Sequence, residues 1–318
     1  MNSLFTLPPA DILVGVDGSD NGREAFATAM AIAKEHHCSI RVVGAYSVPV
    51  IPRRHAPTIS DDRHRSIGRT TQEMLEEHAA EARRAGVDAS AQAIEGDAGE
   101  VLTEASRYSQ LAVVGKRGRN RLASRLLGTV SGDLAARAYC PVLVVPLRNT
   151  DTDEQSPAPA GLEASTPTGQ RSESDFIHEV IAGIDVDTSA ITVADTAARA
   201  AELSGHRLVL LSAVPTEASP SGQRRTDDQA TAHARHADHL EEVAAEVTRR
   251  HTGLAVRRHL PEGSAATVLS EATRTAALVV LGSRGRGGLT SLLLGSVSRS
   301  VLNQMAAPVL IVPNTTAQ

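Results

Sequence analysis

Two stretches of this sequence carry glycines and hydroxyl residues at a spacing suited to anion chemistry. Residues 115–129 read Gly-x-x-Gly, nine residues, Gly-Thr; residues 282–296 read Gly-x-x-Gly, nine residues, Gly-Ser. Each follows a short apolar run. Gly115 and Gly282 are expected to end a strand where a side chain would block a ligand approaching the backbone. Gly118 and Gly285 admit a positive φ, so that successive N–H groups turn toward an anion. Gly128-Thr129 and Gly295-Ser296 then open a helix, whose free N–H groups and positive dipole end suit phosphate. The hydroxyls of Thr129, Ser131, Ser296 and Ser298 fall in that first turn and add donors, and Arg117, Arg119, Arg284 and Arg286 add cations. Neither of the commoner phosphate loops is present. Gly-x-x-x-x-Gly-Lys-Ser/Thr does not occur, and no Gly-x-Gly-x-x-Gly follows a first strand. Kinase and P-loop chemistry therefore lose their support.

The loops must be positioned by repeated elements. Residues 115–146 and 282–313 align without a gap at an offset of 167, and Pro141 to Pro146 falls on Pro308 to Pro313 with one Val/Ile exchange. Upstream, ILVGVD (12–17) meets VIAGID (180–185) at an offset of 168. A period of half the chain indicates a duplicated domain and excludes a solenoid. The expected domains are 1–148 and 175–318. Between them, residues 149–174 are Ser-, Thr-, Pro-, Ala- and acid-rich with one Leu, the composition of a flexible linker.

In the first half, strands are expected at Ile12–Val16, Ile40–Ala45, Ala89–Ile94, Leu111–Val114 and Val142–Val145, and helices near Gly22–His36, Ile67–Ala85, Glu100–Arg107 and Val130–Ala138. The second half repeats this with strands Val180–Ile184, Leu208–Ala213, Ala255–Leu260, Leu278–Leu281 and Val309–Val312. Its helices fall near Ser189–Leu203, Asp228–His251, Ala265–Arg274 and Val297–Gln304. Unbroken Val/Ile/Leu strands, each followed by a helix, give an α/β fold with a parallel sheet covered on both faces.

Composition removes other classes. The chain has 318 residues, with 32 Lys+Arg against 37 Asp+Glu and a net charge of −5. That balance argues against a nucleic-acid binder, which needs a concentrated cationic excess. Aromatics are 2%, too few to stack successive bases. No apolar run approaches the roughly 18 residues of a membrane span. The opening MNSLFTLPPADILVGVD lacks the n- and h-regions of a signal peptide. Cys38 and Cys140 make no disulfide framework. A cytoplasmic, two-domain protein is the expectation.

The loop spacing, the P-V-L-V/I-V-P strand and the opening G-V-D-G-S (15–19) together resemble the universal stress protein family. The likeness covers both halves and is similar to a tandem member of its ATP-binding branch. It implies two Rossmann-like domains, each an open five-stranded parallel sheet in the order 3-2-1-4-5, with nucleotide bound where the first and fourth strands diverge. By position it implies contacts at Gly15, Asp17 and Ala45, then at Gly115, Arg117, Gly118, Arg119, Gly128, Thr129, Val130 and Ser131. In the second half the matching positions are Gly183, Asp185 and Ala213, then Gly282, Ser283, Arg284, Gly285, Arg286, Gly287, Gly295, Ser296, Val297 and Ser298. The aspartates match the nucleotide-contacting Asp after the first strand, and the alanines match the position closing over adenine. The implied ligand is ATP with Mg²⁺. AMP, ADP and cAMP are alternatives, because a phosphate cradle does not count phosphates. The topology also leaves the apolar fifth strand at the sheet edge, which invites pairing with the fifth strand of the other half. A homodimer of the tandem chain is compatible with this pattern and is not read from it.

The halves depart from the pattern differently. Lys116 stands where the second half has Ser283, and Asn120-Arg121 replaces Gly287-Gly288; these side chains either add charge to the phosphates or fill the pocket. In the second half Val186 and Asp187 replace Gly18 and Ser19, and Asp187 either holds a metal ion or repels phosphate. His233, His236 and His239, three apart on a helix, read as a solvated face rather than a metal site. Residues 52–65 read as an exposed loop, and both cysteines as small buried hydrophobes.

Three functions compete: an ATP-binding stress or regulatory module, a hydrolase or adenylate-forming enzyme, and a nucleotide-free interaction protein. No recognisable base follows either glycine loop, so binding and regulation, with at most slow ATP turnover, is the expected function.

Overall fold

A computed structural model of the chain describes residues 12–47, 58–118, 126–147, 176–187, 189–215, 226–285 and 293–314, with backbone alone at 58–64 and 226–228. The proposed linker lies outside these residues. The first half comprises β1 (Ile12–Gly15), α1 (Asp20–His36), β2 (Ile40–Tyr46), α2 (Thr58–Arg84), β3 (Ala89–Glu95), α3 (Ala98–Ala105), β4 (Leu111–Gly115), α4 (Thr129–Arg137) and β5 (Val142–Val145). The second comprises β6 (Glu179–Gly183), α5 (Ala190–Ser204), β7 (Arg207–Leu211), α6 (Thr226–Arg250), β8 (Val256–His259), α7 (Ala265–Ala272), β9 (Leu278–Gly282), α8 (Ser296–Gln304) and β10 (Val309–Val312).

The strands form one ten-stranded sheet in the order β3-β2-β1-β4-β5-β10-β9-β6-β7-β8. Within each half every pairing is parallel, in the order 3-2-1-4-5. Among the described strands, the antiparallel junction joins β5 to β10, with Leu143 opposite Leu310 and Val142 opposite Ile311. Strand side chains alternate between two buried layers. Ile12, Val14 and Val42 face α1 and α2, while Leu13, Val43, Val114 and Leu134 fill the layer beneath α3 and α4. The layers are thin enough for Ala25, Ala29 and Ala33 of α1, and Ala194, Ala197, Ala198 and Ala201 of α5, to be fully buried against the sheet. Small helix residues allow this close approach and explain how so aromatic-poor a chain fills its core.

Two sequence expectations change. The second helix begins at Thr58, not Ile67. Most of the stretch read as an exposed loop is thus helical. Secondly, the three histidines do not share one solvated face. His236 is buried and bonds through Nδ1 to the Ser212 hydroxyl at 2.9 Å. Cys140 is buried, which pushes its thiol up to about 12 even though backbone hydrogen bonds and the Arg41 charge act the other way. Cys38 is only half-buried and precedes β2.

Candidate functional site

The sheet order reverses at β1 and β4, which leave their C-terminal ends side by side: Gly15 pairs in register with Val114. Open α/β sheets bind ligands at such a point. β6 and β9 repeat the arrangement, with Ala182 opposite Val280.

After β1 the chain turns through Gly18, at φ 80°, and Ser19 caps α1 by accepting from the Gly22 N–H at 3.1 Å. Asp17 stabilises the turn: its Oδ1 accepts from the Ser19 amide at 3.0 Å and the Ser19 hydroxyl at 2.6 Å. The second half builds the same turn two residues later. Asp187 Oδ1 accepts from the Ser189 amide at 2.9 Å and hydroxyl at 2.7 Å. Asp187 is thus occupied in shaping the chain. Asp185 has no serine of its own; its Oδ1 accepts from the Val186 amide at 2.8 Å, and the residue is exposed.

The two aspartates share a second relation. Asp17 Oδ2 lies 2.7 Å from where a Cβ on Gly118 would stand, and Asp185 Oδ2 lies 2.7 Å from the same point on Gly285. Neither glycine has a positive φ. A side chain here would have to move the carboxylate that packs on the backbone; the loop does not turn left-handed at these glycines. Gly115 is constrained by the fold as well: a side chain there would strike the Asn21 carbonyl oxygen, 2.5 Å from its Cβ, before meeting any ligand. Gly282 is less tight, with the Arg284 carbonyl at 3.1 Å.

Beneath each loop a helix begins. The Gly128 amide donates to Lys116 O at 2.9 Å, and the Gly295 amide to Ser283 O at 2.8 Å, so each loop closes on its own start. Arg117 Nε reaches Leu126 O at 3.1 Å and Arg284 Nε reaches Leu293 O at 3.2 Å, bridging the same span. The Ser131 hydroxyl donates to Lys116 O at 3.0 Å, and the Ser298 hydroxyl to Gly282 O at 2.7 Å. Both serines are buried, and their protons hold the loop. Thr129 and Ser296, two residues earlier, are exposed, and Val130 and Val297 are half-buried beside them. Neither Gly128 nor Gly295 offers a side-chain cap, whereas Ser19 and Asp97 cap α1 and α3. The uncapped first turns of α4 and α8 present positive dipole ends beside exposed hydroxyls, an arrangement that suits an anion.

Ala45 lies at the end of β2 and is half-buried; Ala213 lies two residues past the end of β7 and is 8% exposed. Gly15 and Gly183 face into the core, where their missing side chains make room for Leu102 and for Leu281 with Leu269. Ser283 is buried and its hydroxyl accepts from the Asn314 amide at 3.2 Å, fastening the loop to the end of β10. Arg119, Arg286, Gly287 and the substituted positions 120 and 121 fall outside the described residues. Lys116 is 8% exposed. Its ammonium leaves the loop and donates to Asn303 O at 2.8 Å, at the far end of α8. Asn303 and its equivalent Ala136 were not singled out from sequence. The available signal was a paired departure, Lys116 for Ser283 and Asn303 for Ala136, both at the repeat offset.

A sequence model of the universal stress protein family matches residues 10–146 and again 177–313. The chain belongs to the universal stress protein family. Its likeness to other universal stress proteins runs the full length. Universal stress protein MT2052 of Mycobacterium tuberculosis is 28% identical over 318 aligned positions, covering 94% of both chains. A universal stress protein of Mycolicibacterium smegmatis is 26% identical, covering 95% of this chain and 96% of its own. Among solved structures, a universal stress protein from Archaeoglobus fulgidus superposes with a TM-score of 0.63 at 19% identity, covering 98% of both chains. At that identity the superposition speaks for the fold, and the fold is a tandem of two Rossmann-like domains.

Proposed function

We propose that this tandem universal stress protein is an ATP-binding regulatory module of the stress response, acting in the cytoplasm, with one nucleotide in each domain at the divergence of its first and fourth strands. The reading rests on one arrangement present twice. In each half an aspartate from the end of the first strand packs against the second glycine of the loop, above an uncapped helix start with an exposed hydroxyl. Phosphate would lie on Gly128–Thr129 and Gly295–Ser296, with Arg117 and Arg284 beside it. Adenine would lie between the aspartates and Ala45 or Ala213. No cluster of three or more His, Cys, Asp or Glu suited to a metal occurs among the described residues. Mg²⁺ would arrive on the phosphates, as it usually does in nucleotide sites. The described part of each cradle supplies N–H and O–H donors at a helix start, which supports binding and regulation. The domains, 1–148 and 175–318, would act as a pseudo-two-fold pair through β5 and β10.

The direct experiment is mass spectrometry of small molecules released by denaturing the purified protein, followed by calorimetric titration of the emptied protein with ATP and Mg²⁺. Two bound nucleotides per chain are expected. No binding at either site overturns the reading. Enzyme-like phosphate release, lost on Gly118→Val plus Gly285→Val, would replace regulation by hydrolysis.

A further inference from the structure

The phosphate cradle of each half is hydrogen-bonded to the far end of the helix that starts the other cradle. Lys116, 8% exposed, belongs to the first loop through its backbone: its carbonyl accepts from the Gly128 amide and the Ser131 hydroxyl. Its side chain crosses to the second half, where Nζ donates to Asn303 O at 2.8 Å and Met305 O at 3.5 Å. Those carbonyls end α8, whose first residue, Ser296, opens the second cradle. At the end of the first loop, the Leu127 amide donates to Asn303 Oδ1 at 2.7 Å. The reverse link uses equivalent positions. Arg284 of the second loop donates through Nη2 to Ala136 O, at 3.5 Å, in the last turn of α4. Ala136 and Asn303 correspond at the offset of 167. The forward link is stronger because the first half has Lys where the second has Ser283, and the second has Asn where the first has Ala136.

We infer that the two nucleotide sites are coupled, with Lys116 and Asn303 as the positioning residues that carry the coupling along α8. The inference rests on the nucleotide-binding reading above. A nine-residue helix moves as one body. A cation at its C-terminal carbonyls and a phosphate at its N-terminus both stabilise the same dipole. Nucleotide seated on the first cradle holds Lys116 and Leu127, and with them their contacts on α8, so the second cradle has less ordering left to lose when it is filled. The coupling is therefore positive, and it is reciprocal by linkage.

The test uses the full chain titrated with ATP and Mg²⁺, alone and as two single-site proteins, Gly118→Val and Gly285→Val, whose new side chains collide with Asp17 or Asp185. The second binding event in the unmodified protein is expected to be at least about fivefold tighter than the same site shows alone, the lower end of usual couplings. Lys116→Met should bring that ratio to within about twofold, and Lys116→Arg, which keeps donors for the helix carbonyls, should restore it. Hydrogen exchange provides a measurement independent of Lys116 substitutions. In Gly285→Val, ATP entering the first site should protect the amides of residues 300–304. If the intact isotherm equals the sum of the two single-site isotherms, or α8 exchange does not respond, the coupling is refuted while nucleotide binding stands. If no nucleotide binds anywhere, both readings fall.

Discussion

Asp17 and Gly118 touch across the gap between the first and fourth strands, the carboxylate Oδ2 standing 2.7 Å from where a Cβ would be built. Asp185 and Gly285 repeat this contact to the same distance. Residues 101 and 100 positions apart in sequence thus meet at one point in each half, and that point is the floor of the candidate site. A side chain on either glycine has to displace the aspartate, the group proposed to meet the nucleotide.

Gly118→Val is therefore expected to lower the nucleotide stoichiometry from two to one, and the pair Gly118→Val with Gly285→Val to abolish binding. The loss at each altered site should exceed about tenfold, which is 1.4 kcal/mol. Calorimetric stoichiometry reads this directly, and unchanged circular dichroism separates it from unfolding. Two full sites in Gly118→Val would remove Asp17 from the binding role.

His251 gives the fold a pH dependence. Its ring joins α5 to the end of α6, with Nδ1 on Glu202 at 3.0 Å and Nε2 on Asp195 at 3.1 Å. Burial lowers its pKa, but hydrogen bonds and charge from Glu202 and Asp195 outweigh that, and the net direction is upward. A raised folded-state pKa means that the charged clamp contributes in full below the unfolded value, near 6.5, and is lost as pH rises through the folded value. Because the carboxylates are partly solvated, the contribution is about 1 kcal/mol. Urea denaturation at pH 5.5 and 8.5 should show the unmodified protein losing about that much relative to His251→Gln. A difference that grows with pH would reverse the assignment.

Glu179 is almost fully buried at the start of β6, with its side chain 4% exposed, and two arginines hold it. Arg207 Nη2 lies 3.0 Å from Oε1 and Arg257 Nη2 2.9 Å from Oε2, while both arginines keep about half their surface in water. The pair is thus asymmetric. Removing both cations with Arg207→Ala and Arg257→Ala strands a buried carboxylate, at about 3–5 kcal/mol. Replacing the acid with Glu179→Leu leaves two hydrated guanidiniums, at about 1–2 kcal/mol. Chemical denaturation of the double arginine variant and of Glu179→Leu should preserve that order; equal losses would show that Glu179 is better solvated than its burial indicates.

Much was legible in the sequence because it is local or repeated. Periodicity in runs such as Val142–Val145 and Leu278–Leu281 identifies strands, and the 167-residue offset identifies two copies of one fold. The Gly-x-x-Gly loops lie where the spacing put them, after β4 and β9. The start of α2 was missed because the mixed charges of 58–65 weaken a helical pattern that the chain nonetheless adopts. Gly68 is tolerated there because Tyr46 packs so closely that a Cβ would come within 2.9 Å of its ring.

The sequence by itself determined the duplicated α/β architecture, the place of each loop and the residue types gathered there. Those follow from the hydrophobic period and from backbone requirements within a few residues. Only the tertiary structure decided what the side chains do. It assigned Gly118 to a carboxylate contact instead of a left-handed turn, committed the Ser131 and Ser298 hydroxyls to loop carbonyls, and sent Lys116 to a helix end 187 residues away. The physical reason is that a hydrogen bond is satisfied by whichever partner lies within about 3 Å, and in a sheet of ten strands that partner is chosen by topology.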